Sequence, residues 1–204
     1  MLRNFLLCAG LLGVLLLGLA GYRLLQAGPA ANLPVITSMG DELVLDSTLG
    51  RPFDLHDYRG KVVLLDFGYT FCPDVCPTVM ARLRQVLKGM GKDSAQVQVL
   101  FVSFDPKRDT IDHLRQYLEF FDPRFVGATG SDAALAAVTK RYGVTYFSRD
   151  MDSANYGFDH SDFIYLIDTE GHVRKLYDAH ATTTEMQQDV QALLQEHSLW
   201  RRIF

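Results

Sequence analysis

The fold prediction begins from residues 62–77, which read VVLLDFGYTFCPDVCP. Their first part, Val62–Gly68, is an almost unbroken apolar run, which is typical of a strand buried on both faces of a parallel sheet. Two cysteines, Cys72 and Cys76, follow it, and apolar residues at helical spacing come next. Because binding and catalytic sites collect where a parallel strand ends and a helix begins, this cysteine pair marks the candidate functional site.

A proline follows each cysteine and restricts the local geometry. Proline disfavours the helical conformation at the residue before it and suits the first turn of a helix. We therefore predict a tight loop over Cys72–Cys76, with Cys76 as the helix N-cap and Pro77 as the first helical residue. Both sulfurs then lie near the positive end of the helix dipole, which favours the thiolate, the form that binds a metal or attacks a disulfide.

The spacing of the two cysteines leaves both chemistries open. In a regular helix, Cβ atoms four residues apart are separated by about 5–6 Å, whereas a disulfide needs about 3.5–4.5 Å. A metal ion bridges the larger gap, so the spacing modestly favours a metal. A pliable loop, however, also allows Cys72 and Cys76 to close a small disulfide ring.

The rest of the chain alternates predicted strands and helices. The further elements are, in chain order, a hairpin of Glu42–Leu45 and Pro52–Leu55, a helix to about Met90, a strand at Val97–Phe104, a helix capped by Asp109, a helix at Ala133–Tyr142, a hairpin of Phe163–Ile167 and Val173–Tyr177, and a last helix opened by a Thr182–Glu185 capping box. This order predicts an α/β, thioredoxin-like fold with an N-terminal β-hairpin extension over residues 34–198, followed by a tail at 199–204.

The N-terminal residues predict a membrane anchor. Residues 4–22 carry no charged side chain, and a helix of that length spans about 28 Å, enough to cross a bilayer. A cleaved secretory signal is the alternative, with Gly18-Leu19-Ala20 as a cleavage site. We predict a cytoplasmic end at residues 1–3, a single transmembrane helix at 4–22 and a linker at 23–33. The expected location is a bacterial inner membrane, with the domain facing the periplasm.

Composition and cysteine count exclude several classes of protein. The formal net charge of −4 and the lack of a basic stripe argue against nucleic acid as a partner. Three cysteines are too few for a disulfide-framework protein. Cys8 falls in the predicted anchor, so Cys72 and Cys76 are the only cysteines of the predicted domain.

A histidine is the expected third member of the site. Soft thiolates select Cu(I) or zinc, and histidine commonly completes such a site. Among six histidines, His160 directly precedes the predicted strand Phe163–Ile167, in a loop that a thioredoxin-like sheet brings beside the cysteines. Asp159 or Asp162 either orients its second ring nitrogen or is a solvated loop residue, and the sequence leaves both interpretations open. Thioredoxin-type oxidoreductases carry a cis-proline in that loop, yet the last proline of this chain is Pro123.

Four motifs together resemble those of the Sco/SenC family. They are Asp66–Pro77 with its CPDVCP core, Ser103–Thr110 (SFDPKRDT), Gly127–Gly130 (GATG), and Asp159-His160-Ser161 followed by YLID. The resemblance implies a membrane-anchored, thioredoxin-like copper protein that serves the dinuclear copper centre of cytochrome c oxidase. It implies that Cys72, Cys76 and His160 are the copper ligands, and the oxidase copper-site subunit the partner. We interpret Asp105–Thr110 as structural, with Asp109 capping a helix.

Two functional hypotheses follow. The first is a copper metallochaperone that carries Cu(I), and also Cu(II) with an added ligand. The second is a thiol-disulfide oxidoreductase that reduces the cysteines of the oxidase copper site or of another periplasmic partner. Another periplasmic copper chaperone or a thiol reductant is an expected further partner. A peroxidase of the peroxiredoxin type is disfavoured, because it needs a threonine at position 69, where this chain has Tyr69.

Overall fold

Nine strands and four α-helices build the part of the chain that the computed structural model describes, which is residues 33–40, 42–150, 153 and 156–203. The strands are β1 (Val44–Ser47), β2 (Phe53–Asp54), β3 (Val62–Gly68), β4 (Val97–Ser103), β5 (Val126–Thr129), β6 (Tyr146–Arg149), β7 (Gly157–His160), β8 (Ile164–Ile167) and β9 (Val173–Tyr177). The helices are α1 (Val75–Met90), α2 (Ile111–Glu119), α3 (Asp132–Arg141) and α4 (Thr183–Ile203), with 3-10 turns at Leu55–Tyr58 and Gly91–Gln96.

Seven strands form a mixed sheet in the order β2-β1-β5-β4-β3-β8-β9. β3 runs parallel to β4 and antiparallel to β8, so it is an interior strand with hydrogen-bonded neighbours on both sides. All seven of its residues are buried, as the apolar run predicts. The predicted N-terminal hairpin is confirmed, since β1 pairs with β2 in antiparallel register.

The helix after the cysteine loop fixes that loop to the core. The inward positions of α1 predicted from its spacing, Val79, Leu83, Val86 and Leu87, are all buried. Full burial of one leucine of this kind contributes about 2 kcal/mol. α1 packs against α4, and α2 packs on β5. The capping box is confirmed in one direction, because the Thr182 hydroxyl accepts a hydrogen bond from the Glu185 amide.

Three strands were not predicted. β5 is a four-residue strand inserted between β1 and β4. β6 and β7 pair only with each other, in a separate two-stranded sheet. His160 is consequently the last residue of β7 and not a loop residue ahead of the next strand.

The predictions for the N-terminus fall on residues that the structure does not describe. These are the cytoplasmic end at 1–3, the anchor at 4–22, and the linker at 23–33 apart from Leu33. Within the described ranges, no helix has both the length and the apolar character needed to cross a membrane. At the other end, α4 continues through residues 199–203, which the sequence prediction set apart as a tail.

Candidate metal centre

The cysteine loop leaves the carboxyl end of β3, and α1 begins within it. α1 starts at Val75 with Asp74 as N-cap, so the prediction that Cys76 is the N-cap and Pro77 the first helical residue was wrong. The backbone carbonyl of Asp74 accepts hydrogen bonds from the amide and hydroxyl of Thr78, which starts the helix early. Pro77 is tolerated in this first turn because the first four amides of a helix have no intrahelical acceptor.

The two sulfurs occupy different environments, and neither is in a disulfide. Cys76 is 1% exposed and belongs to the hydrophobic core, whereas Cys72 is half-buried. The Cys76 sulfur lies against the backbone at Gly68, where a Cβ atom would be 2.7 Å from that sulfur and 3.0 Å from the Phe101 ring. The absence of a side chain at Gly68 therefore leaves the room that the Cys76 sulfur occupies.

His160 reaches the cysteines from the other sheet. Its Nε2 lies 4.0 Å from the Cys76 sulfur, and its Nδ1 lies 2.9 Å from the Ser161 carbonyl oxygen. A carbonyl only accepts, so Nδ1 carries the hydrogen and Nε2 faces the sulfurs. The interpretation that Asp159 or Asp162 orients the ring was wrong, because the backbone next to the histidine supplies that bond.

The separation of the Cys76 sulfur and His160 Nε2 is compatible with one metal ion between them. Bonds of about 2.3 Å to sulfur and about 2.0 Å to imidazole nitrogen allow those two atoms to be at most about 4.3 Å apart, and the observed Cys76–His160 separation is 4.0 Å. Cys72 interacts with both of these side chains. Among the described residues, no three histidine, cysteine or carboxylate groups already have the mutual spacing of a closed metal site. A metal held by Cys72, Cys76 and His160 together would therefore require these side chains to move.

Hydrogen bonds among Cys72, Cys76 and His160 shift the pKa values of the two thiols in opposite directions. The bond from the Cys76 thiol, helped by His160, lowers the pKa of Cys72 well below its ordinary value, although burial opposes this. The same bond, together with burial, raises the pKa of Cys76. Burial opposes charge on His160, but its bonds to Cys72 and to the Ser161 carbonyl raise its pKa. These opposite shifts favour the thiolate form at Cys72 and the thiol form at Cys76, so a metal held by both sulfurs would have to displace protons.

Asp109 anchors the cysteine loop through hydrogen bonds, a role that the sequence did not predict. Its buried carboxylate accepts from the Thr70 amide at 2.9 Å, from the Thr70 hydroxyl at 2.5 Å and from the Ser103 hydroxyl. The predicted capping role was wrong, because Thr110 caps α2 by accepting from the His113 amide. His113 also contributes to the loop, since its Nε2 lies 2.9 Å from the Thr70 hydroxyl.

A second missed carboxylate lies within β3. Asp66 is 2% exposed, and burial, followed by the nearby Asp162 charge, raises its pKa well above the ordinary value. His160 and Cys72 are among the groups that act on it electrostatically. A single acid inside an otherwise apolar run was the sequence signal that could have identified it.

The chain matches known proteins over nearly all of its described part. Residues 36–195 match the family model SCO1/SenC. A SCO2-like protein of Rickettsia felis is 37% identical over 134 residues, which is 65% of this chain and 65% of that protein. The mitochondrial protein SCO2 of Saccharomyces cerevisiae is 36% identical over 173 residues, which is 81% of this chain and 57% of that protein.

Solved structures show the same architecture. The structure of Bradyrhizobium japonicum ScoI with copper bound is 35% identical, with a TM-score of 0.71, and the match covers 76% of this chain and 99% of that one. The mixed α/β, thioredoxin-like fold is thereby confirmed. The chain spans slightly less than two thirds of the Rickettsia felis relative and somewhat more than half of the yeast one. On the family match and these likenesses, the chain belongs to the SCO1/SenC family.

Proposed function

We propose that this protein is a copper metallochaperone that holds copper through Cys72, Cys76 and His160. The observation that carries the proposal is the convergence of two sulfurs and one imidazole from separate sheets, with 4.0 Å between the Cys76 sulfur and His160 Nε2. Two thiolates and an imidazole suit Cu(I), and Cu(II) binds there with an added oxygen or nitrogen ligand. The related ScoI of Bradyrhizobium japonicum has been solved with copper bound, which supports copper as the cargo.

The proposed recipient is the copper-site subunit of cytochrome c oxidase, as the family resemblance implies. A carrier has to bind its ion firmly and release it to another set of thiols. Cys72 is only half-buried, whereas Cys76 is buried, so an incoming ligand would reach the ion from the Cys72 side. Anchoring through residues 4–22, with the domain in the periplasm, would keep the carrier at the membrane surface where an oxidase subunit matures.

Copper titration of the purified full chain, kept reduced and free of oxygen, tests the ligand set. We expect one copper per chain and loss of tight binding in Cys72→Ser and Cys76→Ser. Binding should be weakened at least about 10- to 100-fold in His160→Ala, since that is the range for losing even an outer-shell partner of a metal ligand. His180→Ala is the control, because His180 is an exposed histidine outside the site. Absence of stoichiometric copper, or wild-type affinity in His160→Ala, would falsify the proposal.

A second candidate function is thiol-disulfide exchange, which the asymmetry of the cysteines favours. The half-buried Cys72 thiolate attacks a partner disulfide to form a mixed disulfide and release one partner thiolate. The buried Cys76 then attacks the Cys72 sulfur, which releases the reduced partner and leaves a Cys72–Cys76 disulfide. An external thiol reductant has to return the two electrons. Equilibration with glutathione buffers measures this: a Cys72–Cys76 potential close to that of dedicated reductants supports exchange, and a much lower one argues against it.

A further inference from the structure

The two halves of the site are not joined by a common β-ladder. Cys72 and Cys76 follow β3 of the seven-stranded sheet, whereas His160 ends β7 of the two-stranded sheet. Only residues 161–163 separate His160 from β8, whose Ile164 pairs with Asp66 of β3. This short connection limits how far His160 can lie from the sulfurs but does not fix the orientation of the hairpin. Side-chain contacts add to this connection: Tyr69 and Phe104 pack against Phe158 and His160. One short segment, which follows Phe104, also holds Tyr156 at the start of the hairpin.

That segment is Asp105–Asp109, which follows β4. Asp105 is 2% exposed, and its two carboxylate oxygens accept from different groups: one from Arg108 Nε at 2.5 Å, the other from the Tyr156 hydroxyl at 2.7 Å. Arg108 Nη1 donates to the Tyr156 backbone carbonyl at 2.8 Å. Asp105 and Arg108 thus hold both the side chain and the backbone of Tyr156, the residue before β7.

The Arg108 guanidinium also lies between the two halves of the site. Its central carbon is 3.5 Å from the Tyr156 ring centroid and 4.6 Å from that of Phe71, the residue before Cys72. Such cation–aromatic contacts are strongest where water is excluded, and the Arg108 side chain is only 14% exposed. Asp109, four residues after Asp105, binds the cysteine loop through Thr70. One five-residue segment therefore contacts both ligand-bearing segments.

We propose that Asp105 and Arg108 are positioning residues for the metal site, which fix the histidine hairpin against the cysteine loop through Tyr156 and Phe71. Together with Asp109 they form a brace, the segment Asp105–Asp109. The inference rests on the proposed function for its copper readout. It assigns a role in ligand geometry to a motif that the sequence alone indicates only as structural.

A double-mutant cycle with His160 tests the brace. We expect Arg108→Ala to weaken Cu(II) binding by the full chain about 10- to 100-fold, the range for losing an outer-shell partner of a metal ligand, and to shift the Cu(II) absorption and EPR spectra toward those of His160→Ala. In the His160→Ala background, the same Arg108 substitution should change affinity less than about twofold, because its effect acts through the histidine. Equal effects in the two backgrounds would overturn the proposal.

A matched buried ion pair separates positioning from general stability. Arg174 pairs with Asp168 at 2.9 Å, and their side chains are 9% and 6% exposed, close to the 14% and 2% of Arg108 and Asp105. Asp168 follows β8 beside the start of β3, at the end of that strand away from the cysteines. Arg174→Ala should lower the unfolding temperature without changing the copper spectrum. A spectral change as large as that of Arg108→Ala would show that any buried pair has this effect.

Two further measurements keep the test decisive. Tyr156→Phe removes only the hydroxyl bond to Asp105. It can replace Arg108→Ala in the double-mutant cycle if that variant fails to fold, and it should reduce copper affinity less. Amide hydrogen exchange of the metal-free chain needs no copper: exchange should quicken in β7 and remain unchanged in β3 in either variant. Unchanged β7 exchange would overturn the brace. Wild-type copper affinity in His160→Ala would instead overturn the proposed ligand set. In that case hydrogen exchange in β7 would still show whether the brace holds the hairpin.

Discussion

The cysteine half and the histidine half of the site differ in how they are built. The cysteine half belongs to the core: β3 is buried along its whole length, Cys76 is 1% exposed, and Gly68 admits the sulfur against the backbone. The histidine half is a two-stranded hairpin in which β6 is largely exposed and β7 only partly buried. It does not pair with the main sheet and is held by its short connection to β8, by aromatic rings and by the Asp105–Asp109 brace.

This difference indicates a division of tasks between the two halves. Elements with few buried contacts open at lower free energy than core strands. We therefore expect His160 to leave an ion more readily than Cys76 does, so that affinity is set by the sulfurs and release by the hairpin. The predictions below disturb one half at a time.

The largest effect is expected at Gly68, in the cysteine half. Gly68→Ala places a methyl group 2.7 Å from the Cys76 sulfur, and such overpacking typically costs about 1–3 kcal/mol. Because the displaced atom is a proposed ligand, copper affinity should fall about 100-fold or more, beyond the range of about 10- to 100-fold for losing an outer-shell partner of a ligand. Gly127→Ala is the control, since its methyl group would be equally crowded, 2.8 Å from Leu118, but among residues outside the site. Equal copper affinity in the two variants would contradict the role given to Gly68.

The next largest effect on copper binding is expected when Asp109, which anchors the cysteine loop, loses its carboxylate. Asp109→Asn replaces a buried carboxylate that accepts three hydrogen bonds, and bonds to charged groups contribute about 1.5–3 kcal/mol each. We expect a lower denaturant midpoint and copper binding weakened about tenfold. Since this acts through the cysteines, the loss should persist in the His160→Ala background. A loss that disappears there would place Asp109 on the histidine side.

A smaller effect is expected from the aromatic packing of the hairpin. Phe158 packs edge-on against Tyr69 and Phe104, with ring centroids 5.1 Å apart in both pairs, and each such pair contributes about 0.5–1.5 kcal/mol beyond its buried area. Phe158→Ala should therefore weaken copper binding severalfold, through His160 alone. Tyr58→Ala is the control, because it removes a ring stacked on Phe53 before β3 begins. Unfolding midpoints and copper titrations of both variants test this: both should be less stable, but only Phe158→Ala should bind copper more weakly.

The smallest effect is expected at the surface of the hairpin. Arg149 pairs with Asp159 at 3.3 Å, but their side chains are 60% and 64% exposed, and exposed pairs contribute at most about 1 kcal/mol. Arg149→Ala should leave the copper spectrum unchanged and alter the unfolding temperature little. A spectral shift of the size predicted for Arg108→Ala would mean that the surface pair, and not the brace, holds the hairpin.

The sequence predicted the cysteine half well and the histidine half poorly. β3 and β9 have the predicted bounds, and the predicted helix to Met90 ends there, because long apolar runs and helical periodicity are strong local signals. β6 and β7 are four residues each and mostly polar or exposed, so neither gives such a signal. His160 was nevertheless identified as the candidate histidine, from its place before the next buried strand.

The brace could not be predicted, because its contacts are distant in sequence. Asp109 and Thr70 are 39 residues apart, and Arg108 and Tyr156 are 48 apart. Asp109 and Thr110 are both residue types that cap helices, and the local pattern alone does not tell which one does so. The motif Asp105–Thr110 was recognised, but only the folded chain shows what each of its charges contacts.

The unequal burial of the two sulfurs also bears on oxidative damage. Susceptibility to peroxides follows thiolate character and exposure, and both single out Cys72. When Cys72 is oxidised to the sulfenic acid, the neighbouring Cys76 thiol can condense with it, releasing water and forming a disulfide that a thiol reductant reverses. A buried second cysteine beside the first thus diverts the sulfenic acid from irreversible further oxidation into a disulfide that can be reduced again.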